Sequence, residues 1–238
     1  MRFRILLIAL TLAVALPSAH VFGQDWRTGY NAYRRGDYAE ALKIFRALAD
    51  RGHAGAHNQI GLMYVRGRGV PQDYAEGVKW FREAAARGSR IGQYNLGFSY
   101  YRGHGVAKDS IEAEKWTRMA AERGYAKAQY LLGYMYYYGE GITKNNMAAV
   151  SWLRRAALQG YVRAYRQLGR IFNNQDSEPQ DYVQAFVWYT LALESGQKFP
   201  RAEELKDRIE MNLAHEDMAK ARKMIEEIKA QVRASKRR

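Results

Sequence analysis

The sequence predicts an all-α protein built as a solenoid of antiparallel helix pairs. The first indication is a segment that recurs every 36 residues without a slip in register, so that its copies end at evenly spaced glycines: Gly52, Gly88, Gly124, Gly160 and Gly196. The second is that each repeat contains two stretches typical of helices, joined by a short turn. Because one helix pair cannot bury its apolar face alone, repeats of this kind stack into a solenoid.

Residues 1–23 precede the repeats and have the features of a secretory signal peptide. Arg2 and Arg4 supply a positive N-terminal region, and residues 5–16 form an apolar run too short to span a bilayer comfortably. Val21 and Gly23 place small residues at −3 and −1 of a cleavage site. We therefore expect export to the periplasm or the medium, with an uncleaved membrane anchor as the alternative. No later segment is apolar enough to span a membrane, so we expect no transmembrane segment after cleavage.

The second helix of each pair, helix B, has a recognisable start and end. Asp37, Asp73 and Asp109 stand at its start, each with a glutamate three positions later, which is the pattern of an N-cap with a capping box. Each helix ends at the periodic glycine, where a positive φ is easily adopted. Four of these helices also carry a tryptophan, a large ring that suits close packing beside the alanine pairs of the repeats: Trp80, Trp116, Trp152 and Trp188.

The first helix of each pair, helix A, has the form AHNQIGLMYVRG, GQYNLGFSYYRG or AQYLLGYMYYYG in the three most regular repeats. A turn follows it with the form GRGV, GHGV or GEGI. A G-x-G sequence can belong to a phosphate-binding loop, but there it follows a strand. Here it follows a helix and recurs with the repeat, so it predicts a structural turn whose glycines adopt left-handed conformations.

These motifs resemble those of the Sel1-like repeat family, relatives of the tetratricopeptide repeats. The matching residues of the first close repeat are Ala56, Ile60, Gly61, Tyr64, Gly67, Gly69, Val70, Asp73 and Trp80. The match is close over the repeats 56–91, 92–127 and 128–163. The resemblance implies a right-handed superhelix with its A helices on the concave wall. It also implies an adaptor role in assembly, signalling or envelope functions.

Both flanks depart from the family pattern. Residues 24–55 fit the tetratricopeptide spacing better, with a shorter loop between their helices. Residues 164–200 form a degenerate repeat, because residues 173–180 replace the glycine turn. Residues 201–238 are predicted to form two capping helices, at about 201–213 and 216–233, and a basic tail.

The A helices carry more aromatic rings than one core stripe needs. On a helical wheel of residues 128–138, Ala128, Leu132 and Tyr136 share the core stripe, and further rings lie on the opposite side. The candidate partner-binding residues on that side of three repeats are Tyr94, Phe98, Tyr101, Arg102, Tyr130, Tyr134, Tyr137, Tyr138, Arg166 and Arg170. Aromatic and arginine side chains concentrate binding energy at interfaces. The alternative is that rings of neighbouring A helices simply stack on one another.

These features favour an exported, non-enzymatic scaffold that binds a protein or peptide segment in a concave groove. The net charge of +14, which becomes +12 without residues 1–23, favours partners of acidic character. The alternative is a binder of an anionic envelope glycan or polymer, because rings can stack on sugars while arginines hold phosphate or carboxylate.

Other functions have less support in the sequence. The chain has no cysteine, which excludes thiol catalysis, cysteine–metal sites and the pattern of cysteine-rich relatives linked to antibiotic hydrolysis. His53 and His57 are spaced as a pair, but no third ligand accompanies them, so we expect neither a metal nor a cofactor. No serine, histidine and acid recur together as a triad would require, so we expect no enzyme. Export argues against nucleic acid as the partner.

Overall fold

The computed structural model describes residues 19–174, 180–199 and 201–237, with side chains from residue 25 onward. These residues form twelve helices and no strand. The helices are α1 (Ala19–Arg35), α2 (Tyr38–Asp50), α3 (Ala54–Arg66), α4 (Tyr74–Ala86), α5 (Arg90–Arg102), α6 (Ser110–Glu122), α7 (Ala126–Tyr138), α8 (Asn146–Leu158), α9 (Val162–Asn173), α10 (Tyr182–Glu194), α11 (Ala202–Glu210) and α12 (His215–Lys236).

The helices from α1 to α11 stack in chain order, each against the one before it. The odd-numbered helices α1 to α9 are the A helices, and each packs on the B helix that follows it, α2 to α10. Each B helix from α2 to α8 in turn packs on the next A helix, while α11 and α12 both pack on α10. The predicted all-α repeat solenoid is therefore confirmed.

The predicted signal peptide lies mostly outside the described residues, which begin at residue 19. The predicted cleavage after Gly23 falls inside α1, so it would remove the first five residues of that helix and leave Gln24 at its start. Signal-peptide cleavage stays a prediction. Most of the segment 173–180 also lies outside the described residues.

The B helices begin at the predicted acids, with one exception in how the cap forms. The carboxylates of Asp73 and Asp109 accept hydrogen bonds from the backbone N–H groups of Glu76 and Glu112, at 2.9 and 3.0 Å. Asp37 makes no such bond, because its carboxylate accepts from Arg35 Nε at 3.0 Å instead. The side chains of Glu76 and Glu112 pair with lysines one turn further along their helices. The predicted capping box is thus present only in its aspartate half.

The glycine turns fix how each repeat sits on the previous one. Gly105 has φ +73°, and a Cβ at this position would overlap the carbonyl oxygen of Tyr74 at the start of α4. The equivalent Gly141 lies against the side chain of Ser110 at the start of α6. Glycine is therefore required at this turn for two reasons: its left-handed backbone conformation and the close contact between repeats.

An arginine of the B helices α2, α4 and α6 holds the motif tyrosine of the next A helix, so the contact recurs in three successive repeats. Arg82 Nη2 donates to the hydroxyl of Tyr100 at 3.1 Å, and Arg118 bonds Tyr136 in the following repeat. The Tyr136 hydroxyl also donates to Glu114 at 3.3 Å, and its ring packs against the core. Tyr136 is thus a packing ring, as its place on the core stripe predicts, and its hydroxyl is held by Arg118 and Glu114 of α6.

Candidate binding face on the A helices

The A helices lie on the inner side of the stack. Contacts between α3 and α5 and between α7 and α9 are more extensive than those between any two successive B helices. Asn95 Nδ2 on α5, for example, donates to Asn58 Oδ1 on α3 at 2.7 Å. Helices in a curved stack come closest on the concave side, so the A helices form the concave wall.

Two runs of rings follow one another along this wall. On α5, Phe98 lies between Tyr94 and Tyr101, with ring centroids 6.0 and 6.2 Å apart. On α7, Tyr134 lies between Tyr130 and Tyr138, at 6.2 and 4.4 Å.

Two further tyrosines join these rings from the turns before α7 and α9. The ring of Tyr125 stands 5.2 Å from Tyr94, and the ring of Tyr161 stands 5.2 Å from Tyr130. We call the whole set the aromatic face; it comprises Tyr94, Phe98, Tyr101, Tyr125, Tyr130, Tyr134, Tyr138 and Tyr161, with Arg102, Arg166 and Arg170 beside them.

Tyr125 and Tyr161 occupy N-cap positions, yet neither side chain makes a capping hydrogen bond. The position of Tyr125 is occupied by Ser89 one repeat earlier and by His53 two repeats earlier. Both of these side chains accept a capping hydrogen bond from a backbone N–H, at 3.1 Å each. The sequence carries this signal, since the four residues are spaced by the repeat and change from a capping residue to tyrosine. In these two repeats a helix cap is absent, and a ring extends the aromatic face in its place.

Tyr137 departs from the prediction that placed it among the partner-binding rings. It is buried, with 8% of its surface exposed, and packs in the C-terminal part of the core. Its hydroxyl accepts a hydrogen bond from Asn174 Nδ2 at 3.3 Å. Because α7 is covered by α6, α8 and α9, the arc that packs is wider than the single stripe of the wheel.

The other rings are packed on one side and open on the other. Tyr138 is 37% exposed, while Tyr94, Phe98, Tyr101, Tyr130 and Tyr134 are partly buried. The ring contacts lie within one A helix or reach the tyrosine before the next A helix, so the described residues show no stacking between the rings of neighbouring A helices. Partial burial leaves an edge of each ring in reach of a partner.

The phenols of Tyr94, Tyr101 and Tyr134 remain protonated at physiological pH. Burial, and to a smaller extent the neighbouring Tyr161 and Tyr125, raise the pKa of Tyr94 to about 12. Burial followed by a hydrogen bond to Glu140 raises the pKa of Tyr101, and burial also raises that of Tyr134. The hydroxyls can therefore donate hydrogen bonds without adding negative charge.

Arginines border the rings on both sides. The guanidinium of Arg102 stands 5.6 Å from the Phe98 ring and 5.7 Å from the Tyr101 ring. Arg166 lies against the ring of Phe199 at 5.3 Å, and its buried Nε has no hydrogen-bond partner in the described part of the chain. Arg170 is exposed. The face thus combines neutral donors, apolar rings and positive charge.

The histidine pair serves local structure. His53 Nδ1 accepts from the Ala56 N–H, and His57 Nδ1 contacts the His53 carbonyl at 3.1 Å. Burial lowers the pKa of His53, whose ring also stacks on Trp26. Across residues 19–174, 180–199 and 201–237, no three His, Cys, Asp or Glu side chains gather as metal ligands would. Within the same residues, every helix is too short or too polar to cross a membrane.

The repeats define the class of protein. The Sel1 repeat family matches residues 27–53, 54–89, 91–125, 126–161 and 162–197. The chain belongs to this family, whose members typically act as scaffolds for protein interactions. No curated protein matches the chain.

Two solved structures are similar to the chain over most of its length. A Sel1 repeat protein from Oxalobacter formigenes shares 34% identity with a TM-score of 0.66, covering 72% of this chain and 71% of its own. The protective antigen c5321 of uropathogenic Escherichia coli, which displays the same repeat fold, shares 29% identity with a TM-score of 0.71. That match covers 90% of this chain but 46% of c5321, so the chain spans about half of that protein.

Proposed function

We propose that this protein is an exported, non-enzymatic scaffold that binds an extended segment of a partner protein on the aromatic face. The observation that carries the proposal is the two runs of partly open rings on α5 and α7, with arginines beside them. Rings and arginines of this kind supply most of the binding energy at protein interfaces. The membership of the Sel1 repeat family supports a protein as the partner.

The chemistry of the face favours a partner that alternates apolar and acidic groups. Tyrosine offers a large contact area and a hydroxyl for the polar edge of a peptide. Arg102 and Arg170 lie beside the rings as positive charges, and the whole chain carries a net charge of +14. Capture of an acidic segment should therefore weaken as salt rises, because exposed charges are screened over about 10 Å at 0.1 M.

An anionic envelope glycan is the second candidate, and the ring geometry favours it less. A sugar stacks on a flat, open ring face. Tyr134 and Tyr138 are instead tilted by 41° at 4.4 Å, so each covers part of its neighbour. Ring edges and hydroxyls are what remain accessible, and these suit a peptide better.

Crosslinking in cells tests the proposal directly. A photo-crosslinking residue in place of Tyr138 should capture a defined protein partner. The matched control replaces Ile111, which is 75% exposed on the B helix α6. Equal capture from both positions would contradict the assignment of the face. Capture that a glycan competitor abolishes would favour the second candidate.

Export is tested separately by N-terminal sequencing of the purified protein. The mature chain should begin at Gln24 or within a few residues of it. A protein that retains Met1 and stays in the cytoplasm would contradict this part of the proposal.

A further inference from the structure

A cavity of about 840 Å³ opens at the C-terminal end of the aromatic face. It lies between α7, α9, α10 and the capping helix α11. Tyr137 lines it, and the Tyr137 ring contacts Tyr138 of the aromatic face at 4.8 Å. Arg170 belongs to both the face and the cavity wall. A volume in this range matches that of ordinary ligand sites, which span about 300–1,000 Å³.

A buried hydroxyl at the cavity has no partner in the protein. Tyr189 on α10 is 1% exposed and lines the cavity, and its hydroxyl oxygen makes no hydrogen bond within the described residues. Arg170 and Tyr137, which also line the cavity, are electrostatic neighbours of this hydroxyl. Buried polar groups are nearly always hydrogen-bonded, so an unpaired one indicates a group that the protein does not itself supply.

The cavity has one cationic side and one apolar side. Arg170 on α9 and Arg208 on α11 supply positive charge, and only Arg208 is paired within the described chain, with Glu204 at 2.8 Å. The apolar side consists of Leu205, Ile209 and Leu213. These residues recur every fourth position, so they form one stripe along α11 and the turn after it.

We infer that this cavity binds the C-terminal end of the partner chain, with its carboxylate against Arg170, Arg208 and the Tyr189 hydroxyl and its last side chain against the apolar stripe. A chain terminus carries a carboxylate and a side chain on the same carbon, so it presents both groups at once to the two sides of the cavity. The row of A helices ends at α9, and α11 stands beyond it, so a segment that follows the face ends here. The inference rests on the proposed function, because it extends the same groove.

Peptide libraries with two chemical termini test this inference. The purified full-length protein is immobilised and offered random octapeptides ending in leucine, either as free acids or as C-terminal amides. The free acids should be retained at least about tenfold better than the amides. A tenfold difference in affinity is what a single charge-assisted hydrogen bond can contribute. Equal retention of acids and amides by a protein that does bind peptides would overturn the inference.

Two variants separate the cavity from the aromatic face. Tyr189→Phe removes only an unpaired buried hydroxyl, so folding should be unchanged or slightly improved while the preference for free acids falls. Arg208→Gln should also reduce that preference, whereas Arg222→Gln on the exposed side of α12 should not. An undiminished preference in both cavity variants would refute the assignment.

Failure of the inference can be told from failure of the proposed function. One outcome is that the wild-type protein retains free acids and amides equally while Tyr134→Ala retains neither. In that case the face binds peptides and the cavity assignment is wrong. If the wild-type protein retains neither library, the proposed function fails, and the inference fails with it.

Discussion

Replacement of Tyr125 by serine separates what the aromatic face contributes to folding from what it contributes to binding. Tyr125 precedes α7 without capping it, whereas Ser89 caps α5 at the same position of the previous repeat. Tyr125→Ser should create that cap and remove the ring. Tyr125→Ala removes the ring without creating a cap. The two variants therefore differ in stability but not in the surface that they leave for a partner.

The magnitudes follow from the ring and the cap. A tyrosine buries about 150–250 Å², so a partly buried ring loses about 100 Å² and about 2.5 kcal/mol at 25 cal/mol per Å². A serine N-cap returns about 1 kcal/mol. We expect Tyr125→Ala to cost about 2.5 kcal/mol and Tyr125→Ser about 1.5 kcal/mol. For a chain of this size, the difference corresponds to about 2–4 °C in melting temperature.

Thermal unfolding followed by circular dichroism, together with capture of the crosslinked partner, measures both effects. Serine should give the more stable variant, although alanine is the better residue inside a helix. Both variants should lose capture equally. Ser89→Ala serves as the control, because it should remove about 1 kcal/mol from a cap that already exists. If Tyr125→Ala is as stable as Tyr125→Ser, the cap reasoning is wrong; if both capture the partner normally, Tyr125 is no part of the binding surface.

Three further predictions concern the turns, the core ring and pH. Gly105→Ala should lower the free energy of unfolding by more than Gly124→Ala does, as measured by denaturant unfolding. Both glycines have a positive φ, but only at Gly105 would a new Cβ meet backbone atoms of another helix. Equal losses would contradict the close contact between Gly105 and Tyr74. Tyr136→Ala should lower the free energy of unfolding by about 3 kcal/mol, the lower end of the range for aromatic truncation. Tyr138→Ala should lower it by less, because 37% of Tyr138 is already exposed; the reverse order would place Tyr138 in the core. The pKa of Tyr94 is raised to about 12 in the folded state. Above about pH 10 the folded protein therefore holds more protons than the unfolded chain, so the free energy of unfolding should fall from about pH 10 to pH 12. A spectrophotometric titration that ionises every tyrosine near pH 10 would disprove this.

The repeat period alone was sufficient to predict the fold. Glycines at a constant spacing, an acid before four of the five B helices and a tryptophan in four of them all depend on local geometry, which a single repeat already specifies. The aromatic rings of α5 and α7 were also predictable, because helical periodicity assigns only one arc to the core.

The remainder of the site depends on contacts between repeats. Tyr137 was placed on the wrong side of α7 because a wheel considers one neighbour, whereas this helix is covered by three. Tyr125 and Tyr161 were missed because a residue before a helix is normally interpreted as a cap. The bond from Arg118 to Tyr136 joins different helix pairs, and no pattern within one helix reveals it.

The close contact between Gly105 and the backbone of Tyr74 allows the groove to change in length by whole repeats. The contact lies between one repeat and the next, and it uses none of the residues of the aromatic face. A whole repeat could therefore be duplicated or deleted without breaking this contact. Because packed helices stand about 8–10 Å apart, each added pair would lengthen the groove by at least that distance. An extended chain advances about 3.3 Å per residue, so the groove would grow in steps of roughly three partner residues.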